Sequence, residues 1–464
     1  MKESEVQEQF AKAIMHIGRK EYEPALRILD LVLLENSNFV PGWNERAALL
    51  AQLNAQFDAV VNYTMALNLN DKEGGIYVNR GVSLMALNQM DKAIGDFQKG
   101  LELNPAMPEA YNNTGIALRR MGLTEPAIKQ FRKAIDYRHD YADAHLGLGM
   151  CLLELQQWDE GWKEFEWRWK CGQMVQHPMP YPVWHGEHSN GDALLICGEQ
   201  GFGDVLHFAR YAQVAKEQFG GEIYAEVRLP VARLMQGVQG VDRVIVLGEK
   251  RPEGIGYYIN MVSLASAVGT EKGFMGPYLK ADPHLVDYWA KLFAKIPEGV
   301  RVGLCWAGLN RTDQLVASAI DGRRSLHLSQ FAPLAAIRGI SWVSIQLGEP
   351  ATQIKSPPTG MVIVDVSKEL DDFYDTAAMI ENLDLVITVD TSVVHLAAGL
   401  GKPTWMLGRF DGCWRWFGDR ADSPWYPTLR QYRQPKDGDW ESVLDAVTRD
   451  LQRFVANKRK LQAA

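Results

Sequence analysis

A period of 34 residues in the first third of the chain is the tightest constraint on its fold. Trp43, Tyr77, Tyr111 and His145 fall at that spacing, and so do Ala47, Gly81, Gly115 and Gly149. Tyr63, Phe97, Phe131 and Phe165 form a third register, and Ala25, Ala59, Ala93, Ala127 and Gly161 a fourth. Small and large apolar positions recurring at this interval read as stacked helical hairpins. One hairpin cannot bury its own apolar face, so neighbouring units must supply the core. The small residues let the two helices of a unit approach closely, and the aromatics fill the gap to the next unit.

The registers match the tetratricopeptide (TPR) signature, with Pro105 between two repeats. About four full repeats after a degenerate first one are expected, within an array spanning residues 1–172. In one reading its inner face binds a peptide or protein such as the acceptor, with Asn79, Asn112 and Asn113 either bonding a peptide backbone or solvated. The other readings of the array are a spacer and a surface for self-association.

Composition narrows the setting. A net charge of -8 disfavours bulk binding to nucleic acid, without excluding it, and disfavours acidic membrane. Five cysteines without CxxC spacing suit a reducing cytosol, with neither a disulfide framework nor a zinc site. The polar start MKESEVQEQF shows no signal peptide, and no apolar run is long enough to span a bilayer. A cytoplasmic protein without a transmembrane segment is expected.

Residues 173–190 are rich in Pro and His and read as a linker. His185 and His188 lack a Cys or acidic partner in register, so no metal is expected there. An α/β pattern follows. Ala193–Cys197 reads as a buried strand, 198–203 as a glycine-rich loop, and Asp204 as the opening of a helix over 205–219. GEQGFGD lacks the Lys-Ser/Thr of a P-loop, but its glycines, Gly203 included, allow close approach to the backbone. His207 shares the helical face of Asp204, where it would orient that carboxylate, meet an acceptor, or simply pack.

Leu385–Val389 reads as a central parallel strand, followed by Asp390, Thr391, Ser392 and a helix over 393–400. A helix N-terminus at the carboxyl end of such a strand favours an anion, and His395 lies one turn further on. The plainer alternative is a capped helix and a buried histidine. Val302–Trp306 and Trp342–Gln346 read as two more strands, and Glu349 stands in the turn after the second. Arg311, Arg323 and Arg324 suit phosphate oxygens, or else solvate a loop. The aromatic stretch 410–427 would stack on a sugar or base, or pack between the halves. Asp437-Gly438-Asp439 reads as a turn and helix cap, not a metal motif.

Three ordered motifs carry a resemblance: GEQGFGDVLHFARY (198–211), RVGLCWAG (301–308) and DTSVVHLAAGLGKP (390–403). They resemble glycosyltransferase family 9, the heptosyltransferase-like enzymes, from about Pro182 to Asp439, and a subgroup with TPR repeats in front. The resemblance implies a GT-B fold: two Rossmann-like halves, 191–285 and 286–464, facing a cleft. It implies an inverting, metal-independent glycosyltransferase that moves a sugar from a nucleotide-diphosphate donor to an acceptor hydroxyl of a protein, glycan or other molecule. The nucleotide sugar would be a co-substrate, and no cofactor is expected. Asp204 would be the catalytic base, with Gly203 and His207 on the acceptor side. Gly308, Arg324, Gln346, Glu349, Asp390, Thr391, Ser392 and His395 would hold the donor. The run Gly308-Leu309-Asn310 departs from the family's usual Gly-Asn-Pro. The competing expectation is a catalytically degenerate adaptor that uses the TPR array to bind partners.

Overall fold

A computed structural model describes residues 3–172, 178–199, 201–308, 315–418 and 420–463. Arg311 and most of its loop therefore lie outside the described residues. The chain divides into two compact units, Met1–Gln173 and Met174–Ala464.

The first unit is a TPR helical array. Its helices pair as α1 (Glu3–Gly18) with α2 (Tyr22–Glu35), α3 (Val40–Gln52) with α4 (Gln56–Leu69), and α5 (Gly74–Ala86) with α6 (Met90–Leu103). Then come α7 (Pro108–Arg120) with α8 (Thr124–Tyr137) and α9 (Ala142–Glu154) with α10 (Trp158–Phe165). The small and aromatic registers meet across each pair. A Cβ on Gly81 would lie 2.5 Å from Phe97, and one on Gly115 2.8 Å from Phe131. Phe131 also lies 2.5 Å from where a Cβ on Gly147 would sit, so one ring fills the space between two repeats. These rings are fully buried.

Every first helix of a pair ends in the same way. Lys20, Asn54, Asn88, Gly122 and Gln156, again 34 residues apart, all adopt left-handed φ of 60–75°. The residue after each donates its N–H back across the turn, as in Ala55 to Leu50 (2.8 Å) and Gln157 to Leu152 (2.8 Å). This is the Schellman arrangement, which satisfies carbonyls that a helix end otherwise leaves open. A polar ladder runs between the pairs. Arg46 donates to Asp30 (2.7 Å) and Asn62 (2.8 Å), and Arg80, one period later, donates to Asp96 (2.7 Å) and Thr64 (3.1 Å).

The second unit holds two all-parallel sheets. The first contains β1 (Ala193–Cys197), β2 (Ile223–Val227), β3 (Arg243–Val246) and β4 (Ile255–Asn260), in the order β3-β2-β1-β4. The second contains β5 (Val300–Cys305), β6 (Ile340–Ser344), β7 (Ile363–Asp365), β8 (Leu385–Val389), β9 (Thr404–Gly408) and β10 (Leu429–Arg433), in the order β10-β9-β8-β5-β6-β7. Their central strands are buried on both faces, as parallel strands between layers require. In each sheet the chain reverses direction of growth beside β1 or β5, the place where loops at the strand ends diverge.

Four further helices position the site: α11 (Phe202–Phe208), α12 (Ala212–Phe219), α13 (Leu315–Arg324) and α14 (Ser392–Gly399). The single helix expected over 205–219 is broken at Ala209–Tyr211, which form a 3₁₀ turn. Buried Arg210 turns inward there, its Nε donating to the His207 carbonyl at 2.8 Å. β5 and β6 also end earlier than the expected strands. The N–H of Trp306 leaves the ladder and donates to the Gln346 side chain at 3.0 Å instead. Among the described residues, no helix is long and apolar enough to cross a membrane.

Candidate functional site

The expected site residues fall into two adjoining groups at the ends of β1, β5 and β8. In the first, α11 packs against α14. Gly203 is needed for this approach, since a Cβ there would lie 3.0 Å from the His395 ring and 3.5 Å from Ser392 Cα. Asp204 sits in the first turn of α11. One carboxylate oxygen accepts the Gly201 N–H at 2.9 Å, and the other accepts from Arg415 Nη2 at 2.6 Å. Both oxygens are thus engaged within the protein, and the Arg415 side chain is only 9% exposed.

Behind this pair lies a buried knot of rings. His207 Nδ1 and His395 Nδ1 approach the same Tyr426 hydroxyl, at 2.9 and 2.8 Å. Burial pushes both imidazoles well below their ordinary pKa, with Arg210 adding to the effect on His207 and Arg415 to that on His395. Both are therefore neutral. A hydroxyl donates one proton and accepts up to two, so at most one of the two histidines accepts from it. His207 Nε2 is buried without a partner among the described residues. A proton on His207 Nδ1, donated to Tyr426, leaves a lone pair rather than an N–H unsatisfied at Nε2. Trp416 stacks on His395 at 5.4 Å, and Trp425 meets His207 edge-on at 4.8 Å. Arg210 closes the knot by donating to the carbonyls of Trp425 (2.6 Å) and Gly273 (3.0 Å).

The second group surrounds Arg324. Its guanidinium pairs with Asp321 at 2.6 Å and donates to the Asp390 carbonyl at 2.7 Å. Gly308 faces it so closely that a Cβ would lie 2.8 Å from Nη2. Thr391 caps α14, its hydroxyl accepting from the Val393 N–H at 3.4 Å, while Ser392 is half-buried in the first turn. Gln346 is 3% exposed. Its carbonyl accepts from the Trp306 and Ala307 N–H groups, and its amide donates to the carbonyls of Ala307 and Leu347. It braces the loop after β5 with its full bonding capacity. Glu349 is exposed at the start of a 3₁₀ turn, away from these bonds.

All the expected residues except Glu349 are thus neighbours or braces in these groups. The sequence reading missed Arg415 as the partner of Asp204, Arg210 as the clamp, and Tyr426 as the shared hydroxyl. Their signal was the density of aromatic and basic residues in Trp414–Tyr426. Chemically, the first group is a lock between α11, α14 and the aromatic loop. Among the described residues, no group of three or more His, Cys, Asp or Glu is placed to hold a metal ion.

Tetratricopeptide-repeat family models match residues 76–107 and 108–141. Protein FlbA of Caulobacter vibrioides is 26% identical over 337 residues, covering 66% of this chain and 54% of that protein. The chain thus spans about half the length of the curated relative it matches. Among solved structures, MamA protein is 18% identical over 37% of this chain and 98% of its own, with a TM-score of 0.33. PilF of Pseudomonas aeruginosa is 15% identical over 36% of this chain and 77% of its own, with a TM-score of 0.34.

The family models find tetratricopeptide repeats and the curated relative is Protein FlbA, which corrects the expectation drawn from the three motifs. Assignment to glycosyltransferase family 9 does not stand, nor does the heptosyltransferase-like enzyme activity it implied. The nucleotide-sugar donor and glycan acceptor lose their support with it. Of the residues expected to act on them, Asp204, His207, His395, Arg324, Thr391 and Gln346 make the internal bonds described above.

Proposed function

We propose that this protein is an interaction protein whose TPR array receives a polypeptide partner. The observation that carries this reading is a row of apolar residues on the first helices of successive pairs. Ile14, Ala48, Val82, Ile116 and Met150 occupy one position at the 34-residue spacing. Ile14 and Val82 are each 40% exposed, and the others are half-buried. Asn79 is exposed and Asn113 half-exposed on the same helices, offering amides beside an apolar track. Such a track suits a segment that buries side chains while its backbone finds polar partners. Asn112, also expected to bind, is buried.

In this reading the two sheets are Rossmann-like halves meeting near residue 285, joined to the array through 173–190, and the chain works in the cytoplasm. The scattered cysteines support a reducing compartment. Asp204, His207 and His395 serve as a lock that keeps the halves together. The test is selection of peptides from a random display library against the intact protein. Binding should weaken at least tenfold in both Val82→Glu and Ile116→Glu. Peptides that bind equally well to both variants would place recognition elsewhere and overturn the reading.

A further inference from the structure

The apolar track of the array is bordered by two charges that the fold leaves unpaired. On α3, α5 and α7 the charged residues are Glu45, Arg46, Arg80, Glu109, Arg119 and Arg120. Arg46 pairs with Asp30, Arg80 with Asp96 and Glu109 with Arg138. Arg120 donates to the Met85 carbonyl and to the Asn88 side chain, each at 3.0 Å. Glu45 and Arg119, both half-buried, have no ion-pair partner among the described residues. Asn44 Nδ2 reaches Glu45 only at 3.5 Å. Burial raises the pKa of Glu45, as expected of a carboxylate drawn out of water without a cation in its place.

Both stand beside the track. Glu45 shares the register of Asn79 and Asn113 and precedes Ala48 by three residues, and Arg119 follows Ile116 by three. Residues three apart share a helix face. Successive first helices adjoin, as α5 does α3 and α7. At about 8–10 Å between axes, α3 and α7 lie about 16–20 Å apart. About five or six extended residues span that distance. The next first helix, α9, carries Asp143 and Glu154. Burial pushes the Cys151 thiol on α9 up to about 12, with Arg119 opposing the shift and Glu154 adding to it. A ligand carboxylate that passed Arg119 would therefore meet Glu154, which confines it to α7. Resting on the reading of this track as a peptide site, we propose that the segment it takes carries two opposite charges. A Lys or Arg faces Glu45, and an Asp or Glu about five or six residues away faces Arg119, with apolar residues between. A segment of one sign would gain at one end and be repelled at the other.

The test takes the peptides selected from a random display library by the intact protein. They should carry a basic and an acidic residue about five or six positions apart. A synthetic peptide of the enriched sequence, acetylated and amidated so that its termini are neutral, is titrated by fluorescence anisotropy. Glu45→Lys and Arg119→Glu should each weaken it by about tenfold or more, with far-UV circular dichroism unchanged. An acid in place of the peptide's base should restore binding to Glu45→Lys, and a base in place of its acid should restore binding to Arg119→Glu. Enriched peptides that lack either charge overturn this inference, as do losses that no reversal recovers. So does wild-type affinity in both charge variants. If those same peptides still bind less to Val82→Glu and Ile116→Glu, the track remains a peptide site and only its charge selection fails. Peptides indifferent to Val82→Glu and Ile116→Glu, or a library that yields none, overturn both.

Discussion

Tyr426 holds two imidazoles with one hydroxyl. Tyr426→Phe keeps the ring packing and removes that partner from both, leaving two buried ring nitrogens unmet. The expected cost is about 1–3 kcal/mol, read as a lower urea midpoint for the second unit. An unchanged midpoint would mean the hydroxyl does not hold both rings. The same histidines set a pH dependence. Their folded pKa values lie well below the ordinary value near 6.5, so below about pH 6.5 the unfolded chain binds protons that the folded chain does not. Their contribution is complete above that pH and is lost as pH falls toward the folded values. Stability should fall between pH 6.5 and 5, by up to about 1.4 kcal/mol per pH unit for each histidine. A urea midpoint flat over that interval would contradict two neutral buried imidazoles. The motif residues of this knot were legible, because Gly203, Asp204, His207 and His395 lie in two short runs. Their bonding was not. Arg415 meets Asp204 from 211 positions away, and no local spacing reports such a contact.

The repeat helices were legible because their constraints are local: each small position meets an aromatic 16 residues later in the same pair, as Gly115 meets Phe131. The turn that closes each first helix was not, because Lys20, Asn54, Asn88, Gly122 and Gln156 share a backbone conformation but not one residue type. Only Gly122 adopts it without a Cβ penalty. Gln156→Gly should therefore stabilise the array by about 0.5–1 kcal/mol, read in a urea titration, with Gly122→Ala moving the midpoint the other way. If Gln156→Gly destabilises, its side chain contributes more than its backbone strain costs. The close packing makes a second demand. A Cβ on Gly149 would lie 2.6 Å from the backbone nitrogen of Phe165, which cannot swing aside as a side-chain tip can. Gly149→Ala should cost about 1–3 kcal/mol, whereas Gly95→Ala, with open space around it, should be neutral or stabilising.

At the scale of the whole molecule, the two units are held by different kinds of core. The first is a succession of small clusters, each shared between neighbouring helices, as around Phe131. The second centres on a sheet core running from Val302 and Leu304 through Leu385 and Ile387 to Val447 and Leu451. Each unit buries its own apolar residues, which is the condition for independent cooperative unfolding. Calorimetry of the intact chain should therefore show two transitions. Gly149→Ala should lower one by a few degrees and leave the other in place, while Tyr426→Phe should do the reverse. The buried histidine pair lies in the second unit's knot. Lowering the pH from 6.5 to 5 should therefore move the transition that Tyr426→Phe lowers further than the one that Gly149→Ala lowers. A single transition shifted by both substitutions would mean that the units unfold as one body.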